Sequence, residues 1–514
     1  MQPDHNHFGG RLRISESVAD TLRTHHLARG KNVESFSYAL GHAYRAADGE
    51  VTIVVAEADN VLFFAQDCFI SSGFGHVTLD RKIKAQVFHR AVECGFSAVV
   101  DIHDHHFAAR AHFSEMDDRD DLANARYLKD TVQAFMPQGR ELFVAAVVIS
   151  RGDWAARFVT HDESGGTAFC ALRIDQIGAQ ADCLSDFGTP AKDERFARHA
   201  GLITDRQQNL IGQAHAVVVG AGGTGSIAVE SLLRLGFGAV SVIDADSVEA
   251  SNLNRLQGAG AADVGRLKID VLANQARRIA PGVRFTGLAA RCFDTEARAL
   301  LATADTILGC VDNADTRWWL NQVAVQYMIP WFDCGVLLHT HPTVWHEIRA
   351  SAVLPKVSAC GHCAPIEFYT RKLPALFMDR ESLRQQRAAG YVSDRPDEAS
   401  PSAYLINQQA VSWMLQEVMN WYCGWAPTAS SVYWCSNTSQ IQRLDATVAD
   451  IAPAAGCPVC EAQTGICREG FLPAEDADVD LAAAASALMA SAIVDTVLES
   501  DPYQTAERKP SWPS

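Results

Sequence analysis

Apolar and polar positions follow two different rhythms along this 514-residue chain. Between about residues 11 and 180, runs such as VTIVVA at 51–56 and FVAAVVIS at 143–150 read as strands, and the stretches 80–95 and 118–136 are amphipathic. This pattern predicts a mixed α/β domain over residues 1–185. Residues 185–200, SDFGTPAKDERFARHA, are polar with Gly and Pro, and predict the connection to a second domain. From about residue 214 the order becomes AVVVGAGGTGS, SIAVESLLRLG, AVSVIDAD: strand, glycine turn, helix, strand. Further strand candidates are VRFTGLAA (283–290), DTILGCVD (305–312) and PWFDCGV (330–336). Together they predict an α/β domain with a doubly wound parallel sheet over residues 186–470. Residues 471–514 read as an acidic, alanine-rich helix and a disordered tail.

Composition narrows the function classes. Hydrophobic residues make up 48% and charged residues 20%, and no uninterrupted apolar run is long enough to span a bilayer, so no membrane partner is expected. The opening MQPDHNHFGG lacks a basic segment followed by an apolar one, and predicts a cytoplasmic protein with reduced thiols. In that setting, paired members of the 14 cysteines point to metal or catalysis. The net charge of -17 argues against nucleic acid as a partner.

Gly220, Gly222, Gly223 and Gly225 lie in the turn between strand and helix, where missing Cβ atoms let backbone approach a phosphate near the positive helix end. Asp244 and Asp246 end the next strand, where a carboxylate accepts from ribose hydroxyls; NAD and ATP are both served so far. SNLNRL (251–256) and DVGRLK (263–268) then add Asn252 and the cations Arg255 and Lys268, which suit a triphosphate under attack at its α-phosphorus. VDNADTR (311–317) supplies Asp312, a carboxylate placed to hold Mg²⁺.

GAGGTG, DADSVEASNLNRL, DVGRLK and VDNADTR, in that order, resemble the ThiF/MoeB and ubiquitin-activating enzyme family over roughly residues 194–465. The resemblance implies ATP-dependent adenylation of the C-terminal glycine of a ubiquitin-like or sulfur-carrier protein. It implies that Asp244 binds ribose, that Asn252, Arg255 and Lys268 bind triphosphate, and that Asp312 binds Mg²⁺. ERFARHAGL (194–202) is similar to the family segment whose arginine reaches the partner protomer's γ-phosphate; this implies a homodimer, with Arg198 in the role and Arg195 next.

Cys360-Gly-His-Cys363 and Cys457-Pro-Val-Cys460 form a CxxC pair of the kind that holds one tetrahedral Zn²⁺, with His362 exposed. A thioester-forming cysteine is expected in the segment after the first CxxC, yet residues 364–403 contain none. Cys334, Cys423, Cys435 and Cys467 remain. Cys334 and Cys435 follow strand-like patterns and are expected to be buried; Cys467 is the expected exposed thiol. A MoeB-like enzyme that hands its adenylate directly onward needs none.

The run DIHDHHFAARAHFSEMDDRDD (101–121) places His103 and His105 on one side of an extended chain. It resembles the JAB/JAMM metallopeptidase motif, with Ser114, Asp117 as third Zn²⁺ ligand and Glu34 as general base. It departs from that motif in one extra residue between His105 and Ser114 and in His106 where a proline often stands. The extra residue makes Asp118 an alternative to Asp117. The whole reads as a JAB-like domain fused to an activating domain, both acting on one carrier tail. The alternatives are a MoeB-like sulfur-carrier activator and a catalytically silent scaffold that recruits a ubiquitin-conjugating-like enzyme.

Overall fold

The structure, a computed structural model, describes residues 9–28, 33–46, 49–73, 76–136, 140–161, 167–186, 193–339, 344–362, 402–429, 431–436, 440–443 and 455–467. The helix and tail expected from residue 471, and Cys363, lie outside these residues. The chain divides into two compact units: Met1–Gln176 with Asp182–Thr189 and Gly465–Ser514, and Ile177–Ala181 with Pro190–Thr464.

In the first unit, β1 (Gly10–Ser15) runs into α1 (Glu16–His26), capped by the Ser15 hydroxyl accepting from Val18 N at 3.2 Å. Strands β2 (Phe36–Arg45), β3 (Val51–Val55) and β4 (Val61–Phe63) follow, then a separate two-stranded sheet of β5 (Phe69–Gly73) and β6 (His76–Leu79). Helix α2 (Arg81–Glu93) precedes β7 (Ala98–Asp104); α3 (Glu115–Asp130) separates β7 from β8 (Phe143–Ile149). With β9 (Trp154–His161), β10 (Thr167–Ile177) and β11 (Ala181–Cys183), the main sheet has the order β1-β3-β2-β7-β8-β9-β10-β11. β4 joins β2, and β1 also pairs with β10, so the ladder curls back on itself.

β7 runs parallel to β8 and antiparallel to β2, which pairs Phe36 with His103. Its side chains alternate between two cores. Ala98, Val100 and Ile102 join Val18 and Leu22 of α1, while Val99 joins Val87 and Phe88 of α2. The same period sends Asp101 and His103 to the α2 and α3 side, and Asp104 to the α1 side.

The second unit begins with α4 (Asp205–Gln213) and β12 (His215–Val219), followed by α5 (Gly223–Leu235) and β13 (Ala239–Ile243). Then come α6 (Lys268–Ile279), β14 (Arg284–Leu288), α7 (Thr295–Ala302), β15 (Thr306–Gly309), α8 (Ala314–Gln326) and β16 (Trp331–His339). The unit closes with β17 (Trp345–Val353), a helix we number α9 (Tyr404–Cys423), β18 (Ser431–Cys435) and β19 (Gln440–Arg443). The sheet order is β14-β13-β12-β15-β16-β17-β18-β19. From β14 to β16 neighbouring strands are parallel, as the βαβ rhythm predicts. Beyond the strands the sequence marked, β17, β18 and β19 extend the sheet as antiparallel additions. Because β13 and β14 build to one side of β12 and β15 to the other, the strand order reverses beside β12, where open α/β sheets form their ligand crevices.

At that reversal Gly220 adopts φ 94°, a left-handed conformation, with its backbone against the Cys310 carbonyl; a Cβ on Gly225 would overlap the Gly220 carbonyl. We expect Gly225→Ala to lower the urea midpoint by an amount equivalent to about 1–3 kcal/mol. Gly222→Ala, whose added Cβ meets nothing within 4 Å, should leave it almost unchanged. Equal midpoints for the two variants would refute the close approach.

Candidate functional sites

The crevice beside β12 gathers most of the residues expected to bind nucleotide. Asp244 accepts from Ala221 N with one carboxylate oxygen (2.6 Å) and from Asp246 N with the other (2.8 Å), so it holds the glycine turn while each oxygen retains further acceptor capacity. Buried Lys268 opens α6 and places Nζ 2.7 Å from Asp246 Oδ2 and 4.0 Å from Asp244 Oδ1. Arg255 lays its stem against Gly223, at 3.2 Å from where a Cβ would stand, and donates to Ser251 O at 2.7 Å. Asn252 closes the short 3-10 turn Ala250–Asn252 and accepts from Glu249 N at 3.2 Å. Asp312 is exposed two residues after Cys310, whose N–H bonds Val219 O at 2.9 Å. Arg198 is exposed on the 3-10 turn Glu194–His199, and its neighbour Arg195 is bound to Asp193.

The cysteine turns meet in the same unit. Ligand atoms of Cys360, Cys457 and Cys460 lie within 4.8 Å of one another, all three residues buried, with Cys360 Sγ and Cys457 Sγ 3.8 Å apart. Four thiolates at about 2.3 Å from zinc stand about 3.8 Å from each other in a tetrahedron. The three sulfurs therefore fit the ion, and His362 is exposed as expected.

Residues 196–500 match the family model described as ThiF family. The chain belongs to the ThiF family. It is 34% identical over 141 residues to "Adenylyltransferase and sulfurtransferase uba4" of Aspergillus terreus, which covers 26% of this chain and 29% of that protein. It is 29% identical over 197 residues to "Ubiquitin-like modifier-activating enzyme 5" of Bombyx mori, covering 36% and 48%. It is 42% identical over 93 residues to "tRNA threonylcarbamoyladenosine dehydratase" of Escherichia coli, covering 18% and 35%. The chain thus spans less than half the length of each of these relatives.

Outside the ThiF match, the first unit brings His103, His105 and Asp117 together with ligand atoms within 4.8 Å of one another. The extra residue after His105 does not swing Asp117 away. Ser114 caps α3: its hydroxyl accepts from Asp117 N (3.3 Å) and its N–H donates to Asp117 Oδ2 (2.6 Å), which aims the carboxylate at the histidines. Asp118, the alternative ligand, is instead bound to Arg157 at 2.7 Å. Glu34 Oε1 stands 3.9 Å from His105 Nε2. Glu34 Oε1, His103 Nε2 and His105 Nδ1 are buried without a well-formed hydrogen bond, a cost that a bound cation would relieve. Two imidazoles and a carboxylate fit Zn²⁺ with one open position.

Burial pushes the Glu34 carboxyl up to about 7 and, with the His103 charge, presses His105 down to about 4. Asp117 goes the other way: burial alone would raise it, but His103 holds it well below the usual carboxylate range. The same cluster lines a cavity of about 510 Å³, well above what an ion and a water fill.

Behind the cluster, Asp104 is fully buried and accepts from Ser35 N (2.9 Å), His26 Nδ1 (3.1 Å) and His106 Nδ1 (2.7 Å), while His26 Nε2 meets Ser37 Oγ at 2.8 Å. This Ser-His-Asp arrangement is sealed from solvent, so it braces the strand after Glu34 instead of offering a nucleophile. Nothing in the sequence pairs these residues; only the strand period shows that Asp104 must face away from its flanking histidines.

Cys467 corrects an expectation. It is buried, with φ 49°, and burial pushes its thiol up to about 12. Gly465, two residues earlier, lies against Val54 and Ala56 at the end of β3. Cys334 is buried as expected, Cys423 is buried with its thiol raised to about 11, and the Cys435 side chain lies outside the described residues. We expect iodoacetamide at pH 8 to label exposed Cys94 well before Cys467 in the native protein, read by peptide mass spectrometry; early labelling of Cys467 would contradict its burial.

Proposed function

We propose that the second unit uses ATP and Mg²⁺ to adenylate the C-terminal glycine of a ubiquitin-like or sulfur-carrier protein. The observation that carries this reading is the placing of Asp244 and Arg255 against the glycine turn, with Lys268 ion-paired to Asp246 beside Asp244, within a ThiF-family chain. In the reaction a carrier carboxylate oxygen bonds to the α-phosphorus, and the bond to the bridging oxygen breaks to release pyrophosphate. Lys268 and Arg255 stabilise the charge that grows on the phosphates, with Arg198 from a second copy of the chain at the γ-phosphate. Asp312 would hold Mg²⁺, which supplies neutralisation of that charge.

Ubiquitin-like activation and sulfur-carrier activation share this step and divide at the next. The absence of cysteine from residues 364–403 and the burial of Cys467 favour direct hand-off of the adenylate over a thioester. That is the MoeB-like course. A silent scaffold would bind no ATP.

For the first unit we propose a JAB-like zinc hydrolase acting on the carrier's glycine end. His103, His105 and Asp117 would hold Zn²⁺, which supplies an acidified water; Glu34, near neutrality, takes the proton, and the cavity receives the chain to be cut.

Asp312→Ala should lower carrier-dependent pyrophosphate exchange into ATP by at least about a hundredfold while melting like the wild type. Exchange within a few fold of wild type removes Asp312 from the site. In the full chain, metal analysis should find zinc in both sites, with Asp117→Ala losing only the one that chelators strip first. Glu34→Gln should keep that zinc and abolish cleavage after the carrier's glycine. A wild-type protein that holds no labile zinc ends the hydrolase reading.

A further inference from the structure

Helix α8 connects the Asp312 loop to both cysteine turns through buried side chains. Its N-cap is Asn313, the residue after Asp312, whose side chain accepts from Thr316 N at 2.8 Å. One turn in, Arg317 reaches back to that loop. Its Nε donates to Asp333 Oδ2 (2.9 Å), and Nη2 donates to the Val311 and Cys334 carbonyls at 2.5 and 3.2 Å. Four residues on, Asn321 Oδ1 accepts from Gly361 N at 2.7 Å, in the residue after Cys360. Gln326, which ends the helix, donates to Gln463 at 2.9 Å, three residues past Cys460. Arg317, Asn321, Gln326 and Gln463 are exposed by only 5, 0, 6 and 5%, so water cannot readily replace these bonds.

We propose that Asn321 is a positioning residue through which the cysteine turns set the location of Asp312. The inference rests on reading Asp312 as the Mg²⁺ ligand and the paired cysteines as a zinc site. At about 1.5 Å rise per residue, Arg317 and Asn321 lie about 6 Å apart along the axis on one helix face. Between the two anchors runs little more than one turn of helix, too short to flex. A closed thiolate site fixes the turn at Gly361, the Gly361 N–H fixes Asn321, and Arg317 holds the Val311 carbonyl, whose next residue is Asp312. A purely packing role would favour a leucine here. Instead Asn321 is fully buried, and among the described residues its Nδ2 finds no hydrogen-bond partner, a cost retained for the sake of the acceptor beside it.

The test compares the full chain with Asn321→Leu, which removes the acceptor, and Asn321→Asp, which keeps it. Zinc content, melting temperature and the Mg²⁺ concentration that half-saturates binding of a fluorescent ATP analogue are measured for each. We expect Asn321→Leu to retain its thiolate-bound zinc yet require about tenfold more Mg²⁺, the scale of losing an outer-shell partner, with Asn321→Asp near wild type. A lower melting temperature with an unchanged Mg²⁺ midpoint overturns the proposal and leaves Asn321 structural. If Asn321→Leu does not fold, wild-type protein freed of thiolate-bound zinc by a zinc-selective chelator replaces it, and an unchanged midpoint there has the same meaning. Asp312→Ala is run alongside. If it leaves the midpoint unmoved, the Mg²⁺ assignment itself fails; if no thiolate-bound zinc is found, the zinc assignment fails; either result overturns the proposal at its base.

Discussion

The strand-order reversal of the second unit depends on how closely the Gly220–Gly225 turn approaches the end of β15. Cys310 donates to Val219 O at 2.9 Å, and Thr224 Oγ1 donates to the Cys310 carbonyl at 3.3 Å. A side chain at Gly220 or Gly225 would occupy the space where these backbones meet. The approach brings the N-terminus of α5, with its unsatisfied N–H groups, beside the strand end that leads to Asp312. Asp244 then pins the turn from β13, and Lys268 pins Asp246 in its turn, so a triphosphate would meet a preset frame of donors.

A different constraint organises the first unit: one strand must serve two faces. β7 lends Asp101 and His103 to the cavity side and Asp104 to the α1 side. The buried Asp104 carboxylate joins β7 to the backbone next to Glu34, which keeps the acid within 3.9 Å of His105. The opposed shifts of Glu34 and Asp117 follow from their neighbours. Both lose water, but only Asp117 has an imidazole 3.3 Å away to favour its charge. Two carboxylates in one cavity thereby differ in charge state near neutral pH, Asp117 ionised and Glu34 close to its midpoint.

Much of this was legible in the sequence because it depends on short-range rules. The strand–glycine–helix order from Ala216 to Leu235 can only turn where glycines permit it, and the Ser114-x-x-Asp117 spacing is that of a helix cap whatever precedes it. That cap is why an additional residue after His105 left Asp117 in place: the loop absorbs the length, and the helix start sets the carboxylate. The antiparallel half of the second sheet was not legible, since the apolar runs of β17 and β18 carry no mark of direction. The roles of Arg317 and Asn321 were not legible either, because their partners at Val311, Asp333 and Gly361 are set by tertiary packing, and an arginine on a helix reads by default as a solvated charge.

The burial of Cys467 has a topological origin. Glycine before a cysteine suggests a loose, exposed loop, but the chain beyond the second CxxC returns to the first unit, where Gly465 fits against Val54 and Ala56. Val54 and Ala56 are buried at 1 and 6% exposure, and Cys467 joins them with its thiol uncharged. The first unit is therefore assembled from both ends of the chain. A fragment ending near residue 185 would lack the segment that lies on the end of β3 and would uncover an apolar patch there. The His103, His105 and Asp117 cluster is built on the same sheet, so its geometry depends on a strap from beyond residue 464. The thiol expected to be exposed is instead part of a strap that completes a fold.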